Sequence, residues 1–308
     1  MSIRRRRLDI PELPGGLEIP YVEVAGAQSG PRLTLLGGVH GCEYAGMKAV
    51  RRFVELVDQA ELSGSITAVP VVNIPAFRER TAFVVPHDRK NLNRCFPGDP
   101  AGTYTDVLAH RVFDTFVRGA DYLVDLHAGD LPESLQPMAI YDESPVGDRA
   151  REMAFAYATG HVVRLSPQES NIAGSSSAAA AAAGVPAIIA EVGGNGVLDG
   201  ASVEGHLRGL RNVCRQLGML PGAPEIPEGQ TEHHGWVWMY TPVGGWWEPQ
   251  MQLGSAVKEG SLLGTVSDLY GDVLYEVRAP EAGVPLFVTS SPAVAGGGLL
   301  LAIARPAR

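Results

Sequence analysis

His40 and Glu43 stand three residues apart in "LLGGVHGCEYAG" (35–46), where an apolar run breaks on two glycines and a helical pattern begins. On a bend that enters a helix both side chains can reach one point, and imidazole with carboxylate is a donor pair that suits zinc. A structural zinc site is closed by four protein ligands, whereas a catalytic one has three and leaves a position open. His127 in "DLHAG" offers the third donor. Asp125, two residues before it, is a candidate to support it, although strand alternation alone would point both side chains the same way. An isolated histidine is most often a surface or satisfied core residue. These two gain weight because both lie at glycine-flanked strand ends.

Glu191 ends the apolar run of "IIAEVGG". A carboxylate there is expensive to bury without a partner. Beside an activated water it would take the proton and pass it to a leaving amine. The plainer alternative is a glutamate that caps or salt-bridges a loop. In "KNLNRCFPGDP" (90–100), Asn93 and Arg94 sit among glycine and proline. An arginine fork grips a carboxylate through two parallel bonds; an ordinary turn with a surface arginine is the alternative. Cys42 lies between His40 and Glu43, but a cysteine nucleophile would leave Glu43, His127 and Glu191 without roles, so it reads as filler.

These residues need strands and helices to place them. The pattern predicts strands over 32–38, 65–74, 121–129, 161–165 and 186–194. Helices are expected over 43–59, 105–119, near 144–159, in the alanine-rich 175–184 and over 202–220. Pro70 suggests an edge or a bulge, and Thr105 or Asp106 a helix cap. Such alternation predicts an α/β domain with a mixed, mostly parallel sheet flanked by helices. In these sheets the site lies beyond the carboxyl ends of the strands, where His40, His127 and Glu191 fall. A proline- and glycine-rich linker (220–235) separates this domain, 1–222, from a small all-β domain, 230–308.

The chain has 308 residues, of which 45% are of hydrophobic type and 19% charged, with a net charge of −9. That is a globular composition, and no apolar run is long enough to span a bilayer, so no membrane partner is expected. The opening "RRRR" (4–7) reads as part of a solvated tail. With no other basic cluster, nucleic acid is not an expected partner. Three cysteines without CxxC spacing argue against a disulfide framework and point to a reducing cytoplasm.

"GGVHGCEYAG", "NLNRCFPG", "DLHAG" and "AEVGG", in this order, resemble the succinylglutamate desuccinylase/aspartoacylase family, relatives of the zinc carboxypeptidases. The resemblance covers most of 30–220 and implies a zinc carboxypeptidase-like fold with one Zn2+ per chain. It maps His40, Glu43 and His127 onto the metal ligands, Glu191 onto the general base, and Asn93 and Arg94 onto the pair that holds a substrate carboxylate. A further arginine is expected upstream: Arg80 is the choice, with Arg78 and Arg89 as rivals. The implied substrate is a small N-acylated amino acid or a similar carboxylate-bearing amide. Acetylated diaminobutyrate, acetylaspartate and succinylglutamate are candidates. A carboxypeptidase acting on peptides and an inactive binding protein of the same fold are the alternatives, and a homo-oligomer is expected.

The last segment resembles a biotinyl/lipoyl-type β-sandwich, but Lys258 lies in the "VKEG" turn rather than at a hairpin tip, so no carrier attachment is expected. The tryptophan-dense "HHGWVWMYTPVGGWWEP" reads as a small packed core, an interface or a wall of the cleft. The "ESNIAGSSS" loop (169–177) is expected to line the specificity pocket.

Overall fold

The computed structural model describes residues 2–166 and 173–307, so the first part of the 169–177 loop lies outside the described residues. The chain begins with β1 (Ser2–Ile10), β2 (Leu17–Ala25), β3 (Gln28–Gly37), α1 (Tyr44–Leu56), β4 (Ser63–Val69), α2 (Ile74–Glu79) and α3 (Tyr104–Val112). It continues through β5 (Tyr122–His127), β6 (Glu133–Leu135), β7 (Met138–Asp142), α4 (Gly147–Tyr157), β8 (His161–Leu165), α5 (Ser176–Ala182), β9 (Ala187–Glu191) and α6 (Gly200–Gln216). Then come only strands: β10 (Thr231–Tyr240), β11 (Gly245–Pro249), β12 (Leu262–Ser267), β13 (Val273–Arg278), β14 (Val284–Thr289), β15 (Ala293–Val294) and β16 (Leu299–Pro306).

One sheet of twelve strands runs β1-β2-β4-β3-β5-β9-β7-β8-β10-β16-β14-β6. At its heart β4, β3, β5 and β9 are parallel neighbours. Leu33, Leu35 and Leu36 of β3 are buried on both faces, the mark of an interior parallel strand. One face is covered by α1, α4 and α6, whose Phe53, Met153 and Leu210 share a core. The other is covered by α3 and α5, with Leu108 and Ala180 in a second core. The alanine-rich run is indeed a close-packed helix, and Thr103, not Thr105, begins α3. Its backbone N–H donates to Asp106 Oδ2 at 2.9 Å, closing a capping box.

Two local expectations change. The arginine run is no tail: β1 pairs with β2 along its whole length, because Leu8 and Ile10 reach the core beside Leu17 and Ile19. The arginines face solvent on this outermost strand, with Arg6 pairing Glu23 at 3.2 Å and Arg7 pairing Glu18 at 3.1 Å. Charge on an exposed edge discourages pairing with another sheet. Pro70 marks neither edge nor bulge; it follows the last residue of β4, an interior strand.

Pairing does not stop at the linker. β10 lies parallel to β8 and carries the sheet on through β16 and β14 to β6. Yet β6 follows β5 in sequence after only Ala128–Pro132, a span of at most about 20 Å. The eight strands from β5 to β6 must therefore roll round so that the ends of this part of the sheet meet. Met138, Ile189, Trp236 and Phe287 pack together inside that roll. The remaining late strands form a separate antiparallel sheet, β13-β12-β11-β15, whose core of Trp247, Leu263 and Val277 packs on Leu301 and Ile303 of β16. The β12–β13 hairpin tip is Asp268–Asp272 and holds no lysine.

Candidate metal centre and cavity

Three neighbouring strands deliver the site. β3 ends just before His40, while His127 and Glu191, the last residues of β5 and β9, are cross-strand partners. Gly38 takes φ +65°, a left-handed turn that releases the chain from β3. Gly46, in the first turn of α1, lets that helix sit on the end of β5: a Cβ there would come within 2.7 Å of the Leu126 carbonyl oxygen. The close approach carries Glu43 to His127.

Glu43 is bracketed by two imidazoles. His40 Nδ1 lies 2.6 Å from its Oε1, and His127 Nδ1 lies 2.8 Å from its Oε2. The far nitrogen of His40 faces an acceptor, with Nε2 3.0 Å from Asn91 Oδ1; His127 Nε2 lies 3.0 Å from Asp125 Oδ2, an ion-pair distance without hydrogen-bond alignment. A histidine whose far N–H points at an acceptor presents its other nitrogen as a lone pair, the arrangement found behind metal-bound histidines. Ser176 Oγ donates to Asp125 Oδ2, and the Ala128 N–H donates to Glu43 Oε2 at 3.2 Å. Two lone pairs and a carboxylate turned on one another repel unless a cation lies between them. Donor atoms of His40, Glu43 and His127 all fall within 4.8 Å of one another, so the residues fit a three-donor metal site with one side open.

The electrostatics agree with that demand for positive charge. Burial works to lower the His40 pKa, but the Glu43 carboxylate overrides it and the net shift is upward. His127 is likewise raised, against burial, by Asp125 and Glu43. Burial would raise Glu43, yet His40 and His127 hold it well below the usual carboxylate range. Glu191 differs. Burial pushes its carboxyl up to about 8, and its Oε2 has no hydrogen-bond partner. Behind the site, His206 Nε2 donates to the His127 carbonyl oxygen at 3.1 Å and its Nδ1 accepts from the Tyr157 hydroxyl at 2.8 Å. Burial drops His206 to about 4, so it holds that carbonyl as a neutral ring.

The donor trio opens into a cavity of ≈190 Å³ that lies inside the rolled part of the sheet. Asn93, Arg94 and Glu191 line it together with the trio. Arg94 remains open to solvent and forms no ion pair among the described residues; its Nη1 donates to the Asn93 carbonyl oxygen at 2.7 Å. Asn93 is buried, and its Oδ1 accepts from the Ser176 N–H at 2.9 Å. Trp236, Trp238, Phe287 and Leu299 form the apolar wall, so the tryptophan-dense segment serves as cleft wall at Trp236 and Trp238 and as core at Trp247.

Arg80, Arg78 and Arg89 are exposed, and none lines the cavity. Of the three, Arg80 is the one whose charge reaches Tyr44, next to Glu43; the charge of Arg78 reaches Tyr104 instead. Cys42 is buried away from the cavity lining, and burial raises its thiol, which suits a packing role. Two polar lining residues are not among the expected site residues. Asn91 stands within the "NLNRCFPG" motif and shows itself by that position. Glu133 carries no local signal, because the roll of the sheet is what brings it in.

Comparison with known proteins points the same way. The sequence profile described as succinylglutamate desuccinylase/aspartoacylase catalytic domain matches residues 29–217. A protein from Halomonas elongata named N-alpha-acetyl-L-2,4-diaminobutyric acid deacetylase is 28% identical over 291 residues, covering 88% of this chain and 80% of that one. The product-bound structure of the ectoine utilization protein EutE (DoeB) from Ruegeria pomeroyi matches with a TM-score of 0.89 at 27% identity, over 98% of this chain and 95% of that one. A succinylglutamate desuccinylase/aspartoacylase from Rhodobacter sphaeroides matches with a TM-score of 0.87 at 26% identity, over 99% and 96%.

Proposed function

Because the chain belongs to the succinylglutamate desuccinylase/aspartoacylase family, we propose that it is a zinc-dependent hydrolase of the amide bond in small N-acylated amino acids. The observation that carries this reading is the unpartnered carboxylate of Glu191 facing the same small cavity as the His40–Glu43–His127 donors. A zinc ion held by those three residues would act as a Lewis acid, polarising the acyl carbonyl and bringing the pKa of water toward about 7.

The chain's own residues supply the rest. Arg94 grips the substrate carboxylate, with the Asn93 amide beside it, and so orients the acyl carbonyl toward the donor trio. Glu191 accepts the proton of the attacking water as its oxygen bonds to the carbonyl carbon. The same carboxyl returns that proton to the nitrogen as the C–N bond breaks, leaving a carboxylate and a free amine. A proton affinity raised by burial suits a group that must both take and give. Arg80 stands as the oxyanion candidate that the family resemblance implies, although it is exposed and lies outside the cavity lining. Asn91 holds the ring of His40 by a hydrogen bond, and the Asp125 carboxylate lies beside the ring of His127.

A cavity of ≈190 Å³ beside the donor trio favours single amino-acid derivatives over peptides. The names of the relatives support a deacetylase among the possible deacylases. The test is a panel assay: zinc-loaded protein with acetylated and succinylated amino acids, and with longer peptides, scored by release of free amine. Turnover of acyl amino acids above peptides is expected. Cleavage of C-terminal residues from peptides, or no turnover with metal bound, would overturn the assignment.

A further inference from the structure

One hydrogen-bond network reaches the donor trio from behind, through the core rather than through the cavity. His206 is fully buried in α6, the helix whose Val203, Leu207 and Leu210 belong to the larger core. An imidazole there is costly unless both nitrogens find partners, and both do. The His127 carbonyl oxygen can only accept, so Nε2 carries the proton and donates to it at 3.1 Å. Nδ1 is then the lone pair that accepts from the Tyr157 hydroxyl at 2.8 Å. Gly209, one turn further along α6, permits that approach, because a Cβ there would collide with the Tyr157 ring. A leucine would fill the same space without these demands, so packing alone does not account for the ring.

The carbonyl that His206 holds belongs to the peptide between His127 and Ala128. That unit is planar and trans, with its C=O and N–H on opposite edges, so fixing one edge fixes the other. On the N–H edge, Ala128 donates to Glu43 Oε2 at 3.2 Å. This is the carboxylate oxygen that also lies 2.8 Å from His127 Nδ1. On the carbonyl edge, the same oxygen accepts the Val192 N–H at 3.2 Å, and Val192 directly follows Glu191. One peptide thus joins a donor residue to the strand end that carries the base. Buried hydrogen bonds in series also strengthen one another.

We propose that His206 is a positioning residue for the reaction: through the 127–128 peptide it sets how Glu43 presents its carboxylate and where β9 places Glu191 beside it. The inference rests on the zinc hydrolase reading above and adds to it a residue that touches neither substrate nor metal. With the Nε2 bond gone, the peptide can tilt about its contact with Val192, and the Ala128 N–H leaves Glu43. Small displacements of this kind at a reacting centre are expensive in rate. His206 positions only; the donors remain His40, Glu43 and His127, and the travelling proton remains with Glu191.

The test compares the full-length wild type with His206→Leu, which keeps the bulk and removes both bonds, and with His206→Gln, whose amide offers one acceptor and a donor in place of the two ring nitrogens. Zinc affinity is read by chelator competition, kcat and KM on an N-acyl amino acid that the wild type cleaves, and melting temperature on the metal-free chains. His206→Leu is expected to bind zinc about 10- to 100-fold more weakly. At saturating zinc it should lose about 10-fold or more in kcat, with KM within about two-fold of wild type. His206→Gln should recover most of both losses. Tyr157→Phe, which removes only the hydroxyl behind the ring, should move both in the same direction by less, and it replaces the leucine variant if that chain does not fold. Wild-type zinc affinity and kcat in His206→Leu, or in Tyr157→Phe where it stands in, overturn the proposal. Equal losses in the leucine and glutamine variants also overturn it, since the role would then be one of packing. A wild type that binds zinc yet cleaves no N-acyl amino acid removes the deacylase reading, and zinc affinity alone then decides this inference; a wild type that binds no zinc removes both.

Discussion

Cys42 lies between two donor residues, and the whole functional reading requires it to be idle. Its side chain is buried, its thiol is pushed up by burial, and it stays out of the cavity wall. Cys42→Ala should therefore cost stability, about 1 to 2 kcal/mol for a small buried side chain, and leave turnover within a few-fold of wild type; inactivation by a thiol reagent that the variant escapes would contradict this. Asn91 is the opposite case, outside the donor set yet fixing the His40 ring through Nε2. Asn91→Ala should weaken zinc binding about 10- to 100-fold, read by competition with a chelator. Glu191 gives a pH signature in the metal-free protein. Its ordinary pKa of 4.5 applies to the unfolded chain, and burial raises the folded value to about 8. Between these values the folded state holds a proton that the unfolded chain has released, so this residue costs stability increasingly as pH rises through the window. The melting temperature of metal-free Glu191→Gln should exceed that of wild type by a margin that is small near pH 4.5 and widens toward pH 8. A margin independent of pH would show that the carboxyl is not shifted.

The elements that carry the donors are the part the sequence displays best. Apolar runs ending in His, Glu and glycine gave away the ends of β3, β5 and β9, because interior parallel strands must be apolar on both faces and anything polar at their ends stands out. The N-terminal hairpin was invisible for the converse reason. An outermost strand with Arg4 to Arg7 facing water has no apolar alternation beyond Leu8 and Ile10 to betray it. Gly46 shows how tightly element packing is tied to the site. Its missing Cβ lets α1 touch the Leu126 backbone, and Gly46→Ala gains helix propensity while forcing helix and strand apart. Net destabilisation of about 1 to 3 kcal/mol and weaker zinc binding are expected from denaturant titration and chelator competition. A more stable variant with unchanged affinity would show that this contact does not set the donor spacing.

At the scale of the molecule, the composition break at 220–235 marks a linker in sequence but not a break in the sheet. β10, β14 and β16 come after it and form the wall that bears Trp236, Trp238, Phe287 and Leu299. Glu133 reaches the cavity by the same closure, which no local pattern announces: pairing between β6 and β14 joins residues about 150 positions apart in sequence, and such contacts depend on the whole fold. A chain cut after residue 222 should accordingly lack a cooperative thermal transition and zinc-dependent turnover, since it loses three strands of the main sheet and one side of the cavity; a fragment that melts sharply and retains activity would contradict that dependence. The central claim, that the donor trio and Glu191 form one hydrolytic site, is tested most directly by Glu191→Gln prepared with zinc and assayed on an N-acyl amino acid that the wild type cleaves. About one zinc per chain is expected, with turnover lowered roughly 100- to 10,000-fold. Near-wild-type turnover at normal zinc content would contradict it.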